Sequence, residues 1–132
     1  MPENDVIVKT KVIRTFKDLT VYQEGFRLAM SVFQATRGFP KEELYALSNQ
    51  MRNASRSVPA NIAEGWAKRK HVAIFRRQLL DAMGSVSEMF VWLDMAESCG
   101  YLTQDVHKTL YEAYESLGRR LHQLTTTWQT FK

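Results

Sequence analysis

The chain has 132 residues, a single cysteine (Cys99) and a formal net charge of +4. That length suits one domain with one core, a lone cysteine excludes an internal disulfide and fits a reducing cytoplasm, and no run has the length of a membrane span or a signal peptide. With 45% hydrophobic residues and only three prolines and six glycines, the composition is that of a folded, helix-rich, soluble protein.

Residues 1–14 alternate weakly (Val6, Val8, Val12, Ile13 among charges) and are expected to form an extended arm or a disordered tail. The bundle proper is expected over 15–132. Thr15 and Asp18 have the spacing of a capping box, opening a first helix that runs to about Thr36. Two apolar stripes lie on it. Leu19, Tyr22, Phe26, Met30 and Phe33 form the main one, and Val21, Leu28 and Val32 form another. In a bundle of four helices, the second stripe points to a partner chain.

Gly38 and Phe39-Pro40 separate this helix from the next, with Pro40 suited to a first helical turn and Glu42 and Glu43 to a positive helix N-terminus. The second helix is expected to continue to about Lys68. Leu44, Leu47, Met51, Ala54, Val58, Ile62 and Trp66 recur at steps of three and four, which puts them on one side. Pro59 lies inside that pattern and has no N–H for the Ser55 carbonyl, at a cost of about 3 kcal/mol in an isolated helix. A packing kink is one reading and a hinge or cleft the other.

A third helix is expected over about Val72–Ser98, with Phe75, Leu79, Ala82, Val86, Phe90 and Leu93 inward and Gly84-Ser85 allowing a close approach. Met83, Met89, Trp92 and Met95 give it apolar surface on other faces as well. Gly100 suits the position after a helix end and Thr103 an N-cap. Val106, Leu110, Ala113, Leu117, Leu121, Leu124 and Trp128 form the seam of a fourth helix.

Four helices with short links are expected to pack as an all-α, antiparallel up-down-up-down bundle. That topology gives the uneven charge a meaning. Residues 1–77 hold fourteen Lys/Arg against seven Asp/Glu, while residues 78–115 hold seven acids and only Lys108. The fold would collect Lys9, Lys11, Arg14, Lys17, Lys68, Arg69, Lys70, Arg76, Arg77, Arg119, Arg120 and Lys132 at one pole, and Glu42, Glu43, Asp94, Glu97 and Asp105, partly offset by Arg37 and Lys41, at the other. Arg14, Lys17, Lys68, Arg69, Lys70, Arg76, Arg77, Arg119 and Arg120 are the candidate nucleic-acid-binding residues, because clustered bases bind phosphates by releasing counterions. The polar run Arg52, Asn53, Ser55, Arg56, Ser57 and Asn61 is either a solvated or intersubunit face or a further RNA contact.

Catalytic machinery is not expected. His71, His107 and His122 are far apart, Cys99 has no Cys-x2-Cys partner, and phosphate loops and nucleophile elbows are absent. Glu64, Asp81 and Glu88 lack the Glu-x-x-His element of di-iron bundles. Glu64 is expected to pair with Arg52, Arg56 or a neighbouring helix. No cofactor or metal is implied.

FKDLTVYQ at 16–23, FP at 39–40, LSNQMRNASRSVPANIAEG at 47–65 and the pattern Phe75, Leu79, Ala82, Gly84-Ser85, Glu88 resemble the intervening-sequence four-helix-bundle proteins. These are small bacterial proteins encoded within inserts of large-subunit ribosomal RNA genes and at other loci. The chain departs from the family pattern at Asn53, at Lys70-His71 and at Phe90. The resemblance implies a ring-like homo-oligomer, a homopentamer, without enzymatic activity. It is also similar to the related accessory variability proteins of diversity-generating retroelements, which are basic and bind nucleic acid and a reverse transcriptase. The functional expectation is a nonenzymatic accessory protein that binds RNA or an RNA–DNA hybrid through its basic pole; the alternative is an adaptor that docks a reverse transcriptase. Val21, Leu28, Val32, Met89 and Trp92 are the expected oligomer-interface residues.

Overall fold

The computed structural model of the chain describes residues 6–8 and 11–128. Two short antiparallel strands come first, β1 (Val6–Val8) and β2 (Lys11–Ile13), paired Val6 to Ile13 and Val8 to Lys11. The described part of the arm is thus extended and paired, and Ile13 at the end of β2 is buried in the core. Four helices follow: α1 (Thr20–Thr36), α2 (Leu47–Ala67), α3 (Val72–Ser98) and α4 (Gln104–Trp128). They form an all-α bundle in which α1 packs on α2 and α4, and α3 packs on α2 and α4. Helices α1 and α3 share no direct interface and lie diagonally across the bundle.

The capping box at Thr15 forms, but it caps a single 3-10 turn over Phe16–Asp18. The Asp18 carboxylate accepts from the backbone N–H of Thr15 and Arg14, at 3.0 and 2.9 Å. Those two bonds, with Thr15 the larger, hold the Asp18 carboxyl below its usual range. Leu19, extended at φ −74° and ψ 125°, then resets the chain for α1.

That reset decides which stripe of α1 faces inward. Val21, Gly25, Leu28, Ala29, Val32 and Thr36 are buried, whereas Phe26 and Met30 are 52% and 47% exposed. The stripe expected to be spare fills the core, and much of the expected core stripe faces out. The reason is steric. At Gly25 an added Cβ would lie 3.1 Å from Val58 Cγ1 and 3.5 Å from Pro59 Cδ, so α1 approaches α2 closely along its small-residue side. The bulkier Phe26 and Met30 do not suit that approach. Met89, also expected at an interface, is fully buried within the chain, and Trp92 is half-buried with its indole N–H donating to Glu88 at 3.0 Å.

The second helix begins later than its sequence suggests. Lys41–Glu43 forms a separate 3-10 turn, and Ala46 at φ −121° and ψ −106° breaks the path before Leu47. Leu44 accordingly leaves the stripe and is 44% exposed, while Leu47, Met51, Ala54, Val58, Ile62 and Trp66 are all buried. The chain stays helical across Pro59, which is itself buried against α1. Packing offsets the lost hydrogen bond.

Helix α3 spans Val72–Ser98 as its sequence predicts, and Gly100 takes the left-handed φ of +78° that terminates it. Phe90 is half-buried, stacked on Tyr111 at 4.6 Å, and Met89 takes the fully buried position beside it. Nothing lies within 4 Å of a Cβ built on Gly84, so it does not serve a close approach inside the protomer. Ser85 instead bonds Ser57 across the α2–α3 seam at 2.8 Å. The tight point of that seam is Gly65, where a Cβ would stand 2.8 Å from Gln78 Cβ and 2.9 Å from Phe75 Cδ1. In α4, Tyr114 replaces Ala113 as the buried member of the seam, and Val106 is 40% exposed.

Gly65→Ala is expected to destabilise the protein by about 1–3 kcal/mol, because a Cβ forced into a packed contact displaces its neighbours. Gly118→Ala, where the new atom would meet Val86 at an ordinary 3.7 Å, is expected to stabilise it by about 0.5–1 kcal/mol through helix propensity. Urea unfolding of the two variants checks the contrast.

Candidate nucleic-acid interface

One end of the bundle is tied together by aromatic rings. Trp66 at the end of α2, Phe75 in the first turn of α3 and Trp128 at the end of α4 meet edge to face. Their centroids are 6.4 Å apart for Trp66–Phe75, 5.8 Å for Trp66–Trp128 and 4.6 Å for Phe75–Trp128. All three side chains are buried. The basic residues flanking them in sequence are therefore brought to the same end: Lys68, Arg69 and Lys70 from the α2–α3 link, Arg76 and Arg77 from α3, and Arg119 and Arg120 two turns before Trp128. The start of α1 joins them. Glu24 is held below its usual range first by its hydrogen bond from Arg27, and also by the charge of Arg120 across the α1–α4 seam.

These bases do different work. Arg69 lies over the Trp66 ring at 4.3 Å and donates to the Trp66 carbonyl at 3.1 Å, so it closes the end of α2. Lys68 pairs with Glu64 at 3.1 Å, one turn back on the same helix. That exposed pair replaces the Glu64–Arg52 or Glu64–Arg56 contact expected from sequence, and it contributes little to stability. Arg76 is half-buried, and its Nε is enclosed without a hydrogen-bond partner. Lys70, Arg77 and Arg119 are exposed and face no carboxylate in an ion pair among the described residues. Lys17 is exposed within the 3-10 turn, and its carbonyl accepts from the Gln23 amide at 2.7 Å. The Arg14 backbone N–H serves the capping box. Lys9 and Lys132 lie outside the described residues.

The opposite end is built from carboxylates. Glu43 accepts the Tyr101 hydroxyl at 2.8 Å and the Leu47 backbone N–H at 3.3 Å, which joins the α1–α2 link, the α3–α4 link and the start of α2. Phe39 packs on the Tyr101 ring at 5.2 Å. His107 lies between two acids of α3, with Nε2 2.8 Å from Asp94 and Nδ1 3.6 Å from Glu97. Residue spacing alone does not reveal this bridge, because it does not encode the α3–α4 register. Glu42 in the α1–α2 link and Asp105 in the first turn of α4 are exposed.

A third feature was missed in outline. Three arginines surround the Phe33 ring: Arg52 at 4.9 Å, Arg37 at 5.9 Å and Arg56 at 5.9 Å. Arg52 also donates to Thr36 Oγ1 at 2.8 Å. The polar run of α2 thus divides. Ser57 and Asn61 are tied into the α2–α3 seam, with the Asn61 amide donating to the Ser57 carbonyl and hydroxyl, each at 2.9 Å. Arg52 and Arg56 turn toward α1 instead. No group of three or more His, Cys, Asp or Glu among the described residues could hold a metal ion, and no described helix is long and apolar enough to cross a membrane.

The arrangement offers a polyanion exposed, unpaired bases at the aromatic end, whereas at the other end carboxylates stand among Arg37, Lys41 and Lys108. Comparison with known proteins agrees with the fold. The family model described as "23S rRNA-intervening sequence protein" matches residues 17–123. A crystal structure of a protein of unknown function from the S23 ribosomal protein family of Bacteroides thetaiotaomicron superimposes with a TM-score of 0.71. That match covers 80% of this chain and 98% of the other at 17% identity, so it speaks to the fold alone. No curated protein matches the chain.

At the carboxylate end, Tyr101 is pushed up from 10.0 to about 12, chiefly by its hydrogen bond to Glu43. The folded protein therefore keeps a proton that the unfolded chain releases near pH 10. This contribution to stability is present below pH 10 and lost as pH rises toward 12. Tyr101→Phe is expected to flatten the fall in stability over that window, read by denaturant unfolding at pH 9–12.

Proposed function

The chain belongs to the 23S rRNA-intervening sequence protein family, and from that premise we propose that it is a nonenzymatic accessory protein that binds structured RNA, or an RNA–DNA hybrid, through its basic end. The observation that carries this reading is the convergence of Lys70, Arg77 and Arg119, all exposed and unpaired among the described residues, on the aromatic knot of Trp66, Phe75 and Trp128. The helices are read as running up-down-up-down, and copies of the chain are read as standing side by side in a ring with their basic ends on one face. A ring turns a small cluster into a broad positive surface without any new contact within the protomer.

Such a surface recognises charge and shape. The chemistry of the cluster favours phosphate contacts, which position a nucleic acid without reading its bases. Folded RNA supplies closely spaced phosphates in a defined geometry, and that geometry is where selectivity would come from.

Binding is therefore expected to be strongly salt-dependent. If Lys70, Arg77 and Arg119 each release one counterion, affinity should fall about tenfold or more between 50 and 200 mM salt. Charge reversal of the three (K70E/R77E/R119E) should weaken binding by at least about tenfold and flatten the salt slope. Their exposure should leave thermal unfolding nearly unchanged. Fluorescence anisotropy with a labelled ribosomal-RNA stem–loop reads both quantities. Affinity indifferent to salt and to the triple reversal would remove the proposal.

A further inference from the structure

The three histidines are placed unequally. His107 stands between two carboxylates, with Nε2 2.8 Å from Asp94 and Nδ1 3.6 Å from Glu97, so its charge is answered within the protein. His71 and His122 belong to the basic end and are exposed. Neither ring makes a hydrogen bond, ion pair or ring contact among the described residues. His71 comes directly before α3, where its backbone N–H donates to the Lys68 carbonyl at 2.9 Å and its carbonyl accepts from the Phe75 N–H at 3.0 Å. The backbone is tied down, while the imidazole takes no part in capping the helix. His122 lies in α4 between Arg119 and Trp128, about 9 Å along the helix axis from the aromatic knot.

We propose that His71 and His122 couple nucleic-acid binding at the basic end to pH: each takes up a proton as a phosphate settles beside it, and affinity rises on acidification. The inference rests on the reading that this end binds nucleic acid, and it names how that site is regulated. Imidazole is the side chain suited to changing its charge between pH 5 and 8, and a phosphate beside it favours the charged form. Each proton adds a cation where the polyanion lies. Because coupling between two ligands is reciprocal, RNA that binds with proton uptake binds more tightly where protons are more abundant.

The charged groups around the two rings decide what answers their protons. Near His71, the α2–α3 link supplies Lys68, Arg69 and Lys70, and the first turns of α3 supply Arg76 and Arg77. Glu64, the acid of α2, is paired with Lys68 at 3.1 Å, and Asp18 of the 3-10 turn is held by the backbone N–H groups of Arg14 and Thr15. On the helix of His122, Arg119 lies one turn back and Glu115 two turns back. The Phe75–Trp128 contact and the approach of Gly118 to Val86 bracket the stretch of α3 that faces it, whose charged residues are Arg76, Arg77 and Asp81. From α1, Glu24 is engaged with Arg27 at 2.6 Å. Neither ring therefore has a carboxylate partner of its own among the described residues, and a bound phosphate supplies the counter-charge. His107, held between its two acids, adds nothing to this end.

The test locks the charge in both directions. H71Q/H122Q holds the two positions neutral and H71R/H122R holds them positive, and circular dichroism with thermal unfolding at pH 5.5 and pH 8 checks that each variant folds. Fluorescence anisotropy with a labelled ribosomal-RNA stem–loop is then run at both pH values over a salt series. The wild type is expected to bind about tenfold more tightly at pH 5.5 than at pH 8, with a salt slope steeper by about 1.8 for two added cations. Both variants should lose most of that pH dependence, and at pH 8 the arginine pair should bind more tightly than the glutamine pair. Salt-dependent binding that is indifferent to pH, or a pH dependence that survives in both variants, would overturn the inference and leave the basic-end reading standing. Absence of RNA binding at both pH values would remove the two together.

Discussion

At the cationic end of the bundle, burial of Trp66, Phe75 and Trp128 works against electrostatic repulsion. Each large side chain removed from water contributes about 1.5–3 kcal/mol, with roughly 0.5–1.5 kcal/mol more from each edge-to-face pair. Two exposed like charges 10 Å apart in water repel by only about 0.4 kcal/mol. The aromatic contact therefore prevails over the repulsion among Lys68, Arg69, Lys70, Arg76 and Arg77. Gly65 belongs to the same contact, since Phe75 occupies the space that a side chain there would need. The knot explains how a chain of modest net charge carries a concentrated positive end.

The cluster is not uniform, and the difference bears on function. Arg69 is engaged with Trp66, Lys68 with Glu64, and Arg76 has its Nε enclosed. These residues cap and seal. Lys70, Arg77 and Arg119 are exposed and face no carboxylate in an ion pair among the described residues. At the far end, Glu43 and the pair Asp94 and Glu97 perform the corresponding structural work with the opposite charge.

Much of this could be read from the sequence, and the failures have a common cause. The extents of α3 and α4 followed from apolar periodicity, and the Thr103 and Gly100 boundaries from capping chemistry. Burial of α2 followed too, because its small and apolar residues leave one reading of the inward face. Helix α1 did not, because both of its stripes are apolar. What decides between them is the size of Gly25 relative to Phe26 and Met30, and that matters only once Pro59 stands opposite. The start of α2 was missed because Pro40, Glu42 and Glu43 suit the first turn of a 3-10 helix as well as that of an α-helix. The His107 bridge and the arginines around Phe33 depend on registers between helices, which local spacing does not encode.

The central claim is that nucleic acid meets this protein at one end of the bundle. Lysine-acetylation footprinting with and without a structured RNA tests it most directly, because lysines are present at both ends. Saturating RNA should protect Lys68 and Lys70 and leave Lys41 and Lys108, in the links and first turn at the carboxylate end, as reactive as before. Equal protection at all four, or protection confined to Lys41 and Lys108, would contradict it.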